Sequence, residues 1–208
     1  MSLAETRYSA GDQLARDVLI GREPDILDDI HLPSVAASIW ARTPAPDFQG
    51  WIDGLTVDQL PELATVVPVH LAEAAVLAAA ETAGTPTGPE LDMLAGDVGA
   101  LALMVAKTLR VDQIRLRLDV SEEVMCPKFH IDNVVARLLC SYRGPGTDYV
   151  PEGAEGDPGR IRQVRTGAVG LFRGRLWPDV DSTGLLHRSP AMPKDIGARL
   201  LLVIDPVV

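Results

Sequence analysis

The chain has 208 residues, room for one domain or one and a half, and 47% hydrophobic content, enough to fill a core. Its 19 Lys and Arg against 29 Asp and Glu give a net charge of −10, which argues against a general nucleic-acid binder, and 4% aromatics argue against a stacking platform for single strands. Residues 1–16 carry Glu5, Arg7, Asp12 and Arg16 without the apolar stretch of a signal peptide, no apolar run suffices to span a membrane, and two cysteines are too few for a disulfide scaffold, so a reducing cytoplasm is the expected compartment.

In chain order, residues 25–30 read as a short helical turn, and residues 35–41 (VAASIWA) as either a strand or part of a helix. Residues 43–50, with Pro44, Pro46 and Gly50, read as loop. Apolar residues three and four apart from Leu60 to Leu77 predict an amphipathic helix over 58–82, kinked at Pro68. A linker at 84–89 precedes a second predicted helix over 90–110, where Leu91, Leu94, Val98, Leu101, Val105 and Leu109 keep the same period. After Val111 the period becomes two: residues 113–120 (QIRLRLDV) alternate as a half-buried strand should. Residues 134–142, 168–177 and 199–204 are further strand candidates, and 148–159 reads as loop. The fold class expected is α+β: a mainly helical N-terminal region, 1–110, buttressing a C-terminal β-sandwich, 111–208.

The chain has four histidines. His31, beside Pro33, has no evident role, and His70 within the predicted helix reads as a partly buried structural residue. His130 lies in the string Cys126-Pro-Lys-Phe-His-Ile-Asp132-Asn. In extended backbone, residues two apart point the same way, so His130 and Asp132 would aim an imidazole and a carboxylate at one point. That is two thirds of a two-His-one-carboxylate site. The bland alternative is that Asp132 caps a turn and the histidines hydrogen-bond within the sandwich. No Gly-rich phosphate loop and no Gly-x-Ser-x-Gly elbow is present.

Downstream come a strand from Arg137 to Tyr142, the turn Gly144-Pro-Gly-Thr147, Gly167-Ala-Val-Gly-Leu-Phe172, a distal His187, and Gly197-Ala-Arg199 entering an apolar strand. Over residues 111–205 this order resembles the double-stranded β-helix (jelly-roll, cupin-like) of the Fe(II)/2-oxoglutarate-dependent oxygenases, above all their prolyl-hydroxylase-like branch. The resemblance implies that His130, Asp132 and His187 bind the metal. It also implies that Arg199 grips the distal carboxylate of 2-oxoglutarate, a task that suits the planar fork of arginine, with the Tyr142 hydroxyl on the same carboxylate. The separation of His187 from Arg199, with Pro190 and Pro193 between, is slightly longer than the family's common spacing. The strings from Cys126 to Asp132, Tyr142-Arg-Gly-Pro-Gly-Thr147 and His187-Arg-Ser-Pro190 also resemble an uncharacterised bacterial family whose genes occur among zinc-responsive genes.

Two functions follow from these resemblances. One is an Fe(II)/2-oxoglutarate-dependent dioxygenase hydroxylating a small-molecule or protein substrate. The other is a non-catalytic Zn(II)-binding protein of metal homeostasis, with Cys126 as an added ligand through its Cys-x-x-x-His spacing. A third alternative is a degenerate sandwich used as an interaction module. For Arg199 the competing reading is an internal salt bridge, and for Cys140 a small buried hydrophobe. Arg160, Arg162, Arg165, Arg173, Arg175 and Arg188 form either a solvated face or a positive rim for an anionic substrate. No nucleic-acid or membrane partner is expected.

Overall fold

The computed structural model describes residues 15–178, 183–193 and 196–208; the polar N-terminal stretch read above as lacking a leader lies almost wholly outside them. Among the described residues no helix is long and apolar enough to cross a membrane. The N-terminal part holds strands as well as helices: β1 (Asp17–Gly21), a 3-10 helix (Pro24–His31), β2 (Val35–Trp40), α1 (Pro46–Gly54), β3 (Leu63–Pro68), α2 (Ala72–Ala83) and α3 (Pro89–Leu109). The expectation of a mainly helical region is corrected by β1, β2 and β3.

Residues 35–40 form a strand buried along nearly its whole length, and a strand covered on both faces shows an apolar run rather than alternation. The helix expected to start at residue 58 starts at Ala72 instead; before it, the β-branched Thr65, Val66 and Val67 form β3, and Pro68 both disfavours helix at Val67 and ends the strand. Of residues 43–50, expected as loop, those from Pro46 onward belong to α1, because Pro46 sits at its start, where the missing N–H and fixed φ suit a first turn. The period-3.6 reading of α3 agrees with the structure: Leu91, Leu94, Val98, Leu101 and Val105 are all buried.

The second half supplies β4 (Gln113–Ser121), β5 (Ala136–Arg143), β6 (Asp148–Pro151, in a segment expected as loop), β7 (Arg162–Gln163), β8 (Val169–Arg173), β9 (Leu185–Arg188) and β10 (Arg199–Pro206). These make a seven-stranded sheet in the order β1-β2-β8-β5-β10-β4-β3 and a three-stranded sheet in the order β7-β6-β9. Neighbours in the large sheet run antiparallel except β1 and β2. Strands from both halves of the chain thus share one sheet.

Two apolar clusters hold the layers together. On one face of the large sheet, Leu116, Leu118, Leu138, Leu200 and Leu202 pack with Leu94, Val98 and Leu101 of α3. On the other face, Ile39, Leu139, Phe172 and Val203 pack under Tyr149 and Leu185 of the small sheet. Each such side chain, fully buried, contributes roughly 1.5–3 kcal/mol relative to exposure. The alternation of β5 divides its residues between the two: Ala136, Leu138, Cys140 and Tyr142 face the helices, and Leu139 faces the cleft between the sheets, with Arg137 and Ser141 in phase with it.

Candidate metal centre and anion pocket

His130 is reached just before β5, and His187 lies on β9. The two backbones form an isolated antiparallel bridge, His130 N–H to His187 O and His187 N–H to His130 O, both 3.0 Å. Their rings stand 4.8 Å apart, and the His187 ring lies 5.2 Å from that of Phe172. His130 Nδ1 is 2.8 Å from Lys128 O. A carbonyl only accepts, so Nδ1 carries the proton of this bond, and in the neutral imidazole Nε2 is the nitrogen with the lone pair.

Asp132 sits between them. Its Oδ1 accepts from Arg137 Nη1 at 2.6 Å and lies 3.5 Å from His130 Nε2; its Oδ2 lies 2.8 Å from His187 Nε2. Despite that approach, Oδ2 is buried and receives no well-directed hydrogen bond. Burial alone would push the Asp132 carboxyl up, but His187, Arg137 and His130 outweigh it and hold it at about 2. Ligand atoms of His130, Asp132 and His187 all lie within 4.8 Å of one another. Two imidazoles and an ionised carboxylate with an unserved buried oxygen fit a divalent metal with open coordination positions.

A cavity of about 100 Å³ runs from His130 and His187 to Thr147 and Arg199, with Arg117 and Arg137 on its wall. Arg199 is 3% exposed. Its Nε donates to Pro145 O at 2.9 Å, and its Nη2 to Ser141 Oγ at 2.9 Å and Thr147 Oγ1 at 3.1 Å. Among the described residues it has no carboxylate within ion-pair distance, so the internal salt bridge offered as the competing reading is not found there. Burial lowers its pKa to about 10, against the pull of Asp119 and Asp148. The turn that presents Pro145 and Thr147 needs its glycines: Gly144 has φ +77°, and a Cβ on Gly146 would lie 1.5 Å from Val164 O.

The structure does not bring Tyr142 to this pocket. Its hydroxyl donates to Asp97 Oδ2 at 2.6 Å, on the helix side of the sheet, where Arg42 also grips Asp97 with both Nη atoms. The residue of β5 that reaches Arg199 is Ser141, one position earlier and therefore on the opposite face. Cys126 is exposed and lines the cavity, but lies outside the three-ligand group. Cys140 is buried on the helix side, and burial pushes its thiol up to about 12.

The remaining candidates disperse. His31 donates through Nε2 to Thr108 O at 2.8 Å, and His70, expected partly buried in a helix, is exposed on a 3-10 turn. Of the arginine-rich segment, Arg160, Arg162, Arg165 and Arg175 are exposed, whereas Arg173 is buried and donates to Ile30 O and Leu32 O. Arg188 alone of the six lines the cavity, and it pairs with Asp148 at 3.2 Å. No role is assigned to Ser141, Thr147 or Asp205 from sequence; once the structure places Arg137 toward Asp132, the alternation of β5 puts Ser141 on the same face.

No curated protein matches the chain. Among solved structures, it is similar to the dioxygenase for auxin oxidation 1 from Arabidopsis thaliana in its 2-oxoglutarate complex, at 9% identity over 91% of each chain with a TM-score of 0.50. A rice dioxygenase for auxin oxidation (14% identity; 92% of this chain, 82% of that one; TM-score 0.47) and a Pseudomonas putida prolyl-4-hydroxylase (10%; 88% and 97%; 0.45) are also similar. At so low an identity, the Arabidopsis likeness speaks to the fold, a mixed α/β architecture around a large sheet, and not to the reaction. Residues 21–205 match the family described as protein of unknown function (DUF1826), and the chain belongs to that family.

Proposed function

We propose that the protein is an Fe(II)- and 2-oxoglutarate-dependent oxygenase that hydroxylates an organic substrate. The observation that carries this reading is Arg199, a buried cation with no carboxylate in ion-pair distance among the described residues, opening on the cavity that also holds His130 and His187. A guanidinium so placed awaits an anion, and a dianion with one end at the metal would satisfy it.

His130, Asp132 and His187 would hold Fe(II). Arg199, with the Ser141 and Thr147 hydroxyls that fix its orientation, would receive the distal carboxylate of 2-oxoglutarate. When bound, the ferrous ion and 2-oxoglutarate supply the oxygen activation that a C–H hydroxylation needs. The Lys128 carbonyl accepts the Nδ1–H of His130, which in the neutral imidazole leaves Nε2 as the ligand atom, and His187 and Arg137 favour the ionised form of Asp132. Leu139, Leu201 and Val203 form the apolar part of the cavity wall, and Phe172 packs against the His187 ring. The zinc-only reading has no support from Cys126, which lies outside the ligand group, and gives Arg199 nothing to bind.

The test is titration of 2-oxoglutarate into Mn(II)-loaded protein by calorimetry, with succinate formation measured on Fe(II)-loaded protein. Metal-dependent binding of 2-oxoglutarate that Arg199→Ala abolishes is the expected result. Metal bound without any 2-oxoglutarate affinity or succinate would overturn the oxygenase reading and favour the zinc-binding one.

A further inference from the structure

Arg137 links the candidate metal centre to a residue on another strand, 68 positions away. Its Nη1 donates to Asp132 Oδ1 at 2.6 Å. Its Nε and Nη2 each donate to one oxygen of Asp205, both at 2.7 Å. Asp205 is 1% exposed and lies on β10, itself paired on both sides, with β4 and with β5. The guanidinium is therefore held at two points by a buried partner on a strand paired on both sides, and its third donor reaches the carboxylate.

Asp132 has two oxygens, and the environment treats them differently. Oδ1 is taken by Arg137, whereas Oδ2 is buried, faces His187 Nε2 and has no well-directed donor. A carboxylate free to rotate could present either oxygen, or chelate with both. One fixed by a charge-assisted hydrogen bond on a single oxygen presents only the other.

We propose that Arg137, anchored by Asp205, is a positioning residue that holds Asp132 by Oδ1 so that Oδ2 alone is offered to the metal, which keeps adjacent coordination positions open for co-substrate. The inference rests on the reading of His130, Asp132 and His187 as a metal centre. It concerns how the ligand set is oriented, not which residues compose it.

The experiment uses Co(II) as probe on the full chain, read by the d–d absorption spectrum and by calorimetric affinity, with circular dichroism and thermal melting as controls of folding. Arg137→Met alone would strand a buried Asp205 charge, so the informative variant is the double Arg137→Met/Asp205→Leu, which removes both partners together. Loss of such an outer partner typically costs about 10–100-fold in metal affinity. The expected result is a loss in that range with an altered Co(II) spectrum in a folded protein, and partial recovery of both in Arg137→Lys, which keeps a donor for Oδ1. Wild-type affinity and spectrum in the folded double variant would overturn the positioning role while leaving the metal centre standing. Wild-type protein that binds no Co(II) would overturn both. Should the double variant not fold, Asp205→Asn, which weakens the anchor without an apolar replacement, is judged by the same two readouts.

Discussion

At the scale of the residue, a buried guanidinium without a counter-charge is a cost to the folded chain that a bound anion relieves. Removing the charge relieves that cost but takes the donor from Pro145 O, Ser141 Oγ and Thr147 Oγ1, at about 1–3 kcal/mol for a buried group left unsatisfied. Arg199→Met is therefore expected to change the melting temperature of the ligand-free protein less than that of the 2-oxoglutarate-bound protein. The same change should weaken 2-oxoglutarate by at least about 30-fold, the equivalent of about 2 kcal/mol for truncating a buried charge partner. Thermal melts with and without 2-oxoglutarate measure both; a lower ligand-free midpoint with intact affinity would contradict the assignment. Asp132 carries the opposite sign of effect. Its carboxyl is lowered from 3.8 to about 2 in the fold, so it stabilises metal-free protein fully above pH 4 and loses that contribution as pH falls toward 2. The amount is about 2 kcal/mol at one unit per 1.36 kcal/mol. Because burial raises Asp119, which titrates in the opposite sense, the readout is the difference between wild type and Asp132→Asn in denaturant midpoints from pH 5 to 2.5. That difference should shrink on acidification.

At the scale of the element, the short turn between β5 and β6 decides where Arg199 points. A Cβ on Gly146 would meet the backbone oxygen of Val164, which cannot swing away as a side chain could, so Gly146→Ala must displace the turn. The expected outcome is a loss of about 1–3 kcal/mol in denaturant stability, the usual penalty of overpacking, together with weakened 2-oxoglutarate binding. Gly156→Ala, with nothing within 4 Å of its Cβ, is the control and should change neither. β5 itself shows how far local pattern carries. Its alternation was readable, but not which phase meets the site, because Ala136, Leu138, Cys140 and Tyr142 are all apolar enough for a core and Ser141 is small enough for either side. Only the packing of α3 against the even-numbered face assigns Tyr142 to Asp97 and Ser141 to Arg199.

At the scale of the whole molecule, the division at residue 110 cuts through the large sheet. β2 pairs with β8 and β3 with β4, so both flanks of the C-terminal strands are completed by the N-terminal part, and α3 covers Leu116, Leu138 and Leu202. A fragment of residues 111–208 would expose two strand edges and one apolar face. It is expected to be unfolded or aggregated, and dispersed amide resonances from the soluble fragment would show otherwise. What the sequence determined alone was local: the period of α3, the alternation of β4, and the His130-x-Asp132 pair, each set by residues near one another in the chain. What only the tertiary structure decided was non-local. It made strands of residues 35–40 and 63–68, joined His187 to the pair through a cross-strand bridge, matched Arg137 with Asp205, and left Arg199 without a carboxylate in ion-pair distance among the described residues. The physical reason is that period reports burial only where one face of an element meets water; a segment covered on both sides carries no period, and a polar partner brought from far along the chain leaves no mark in local sequence.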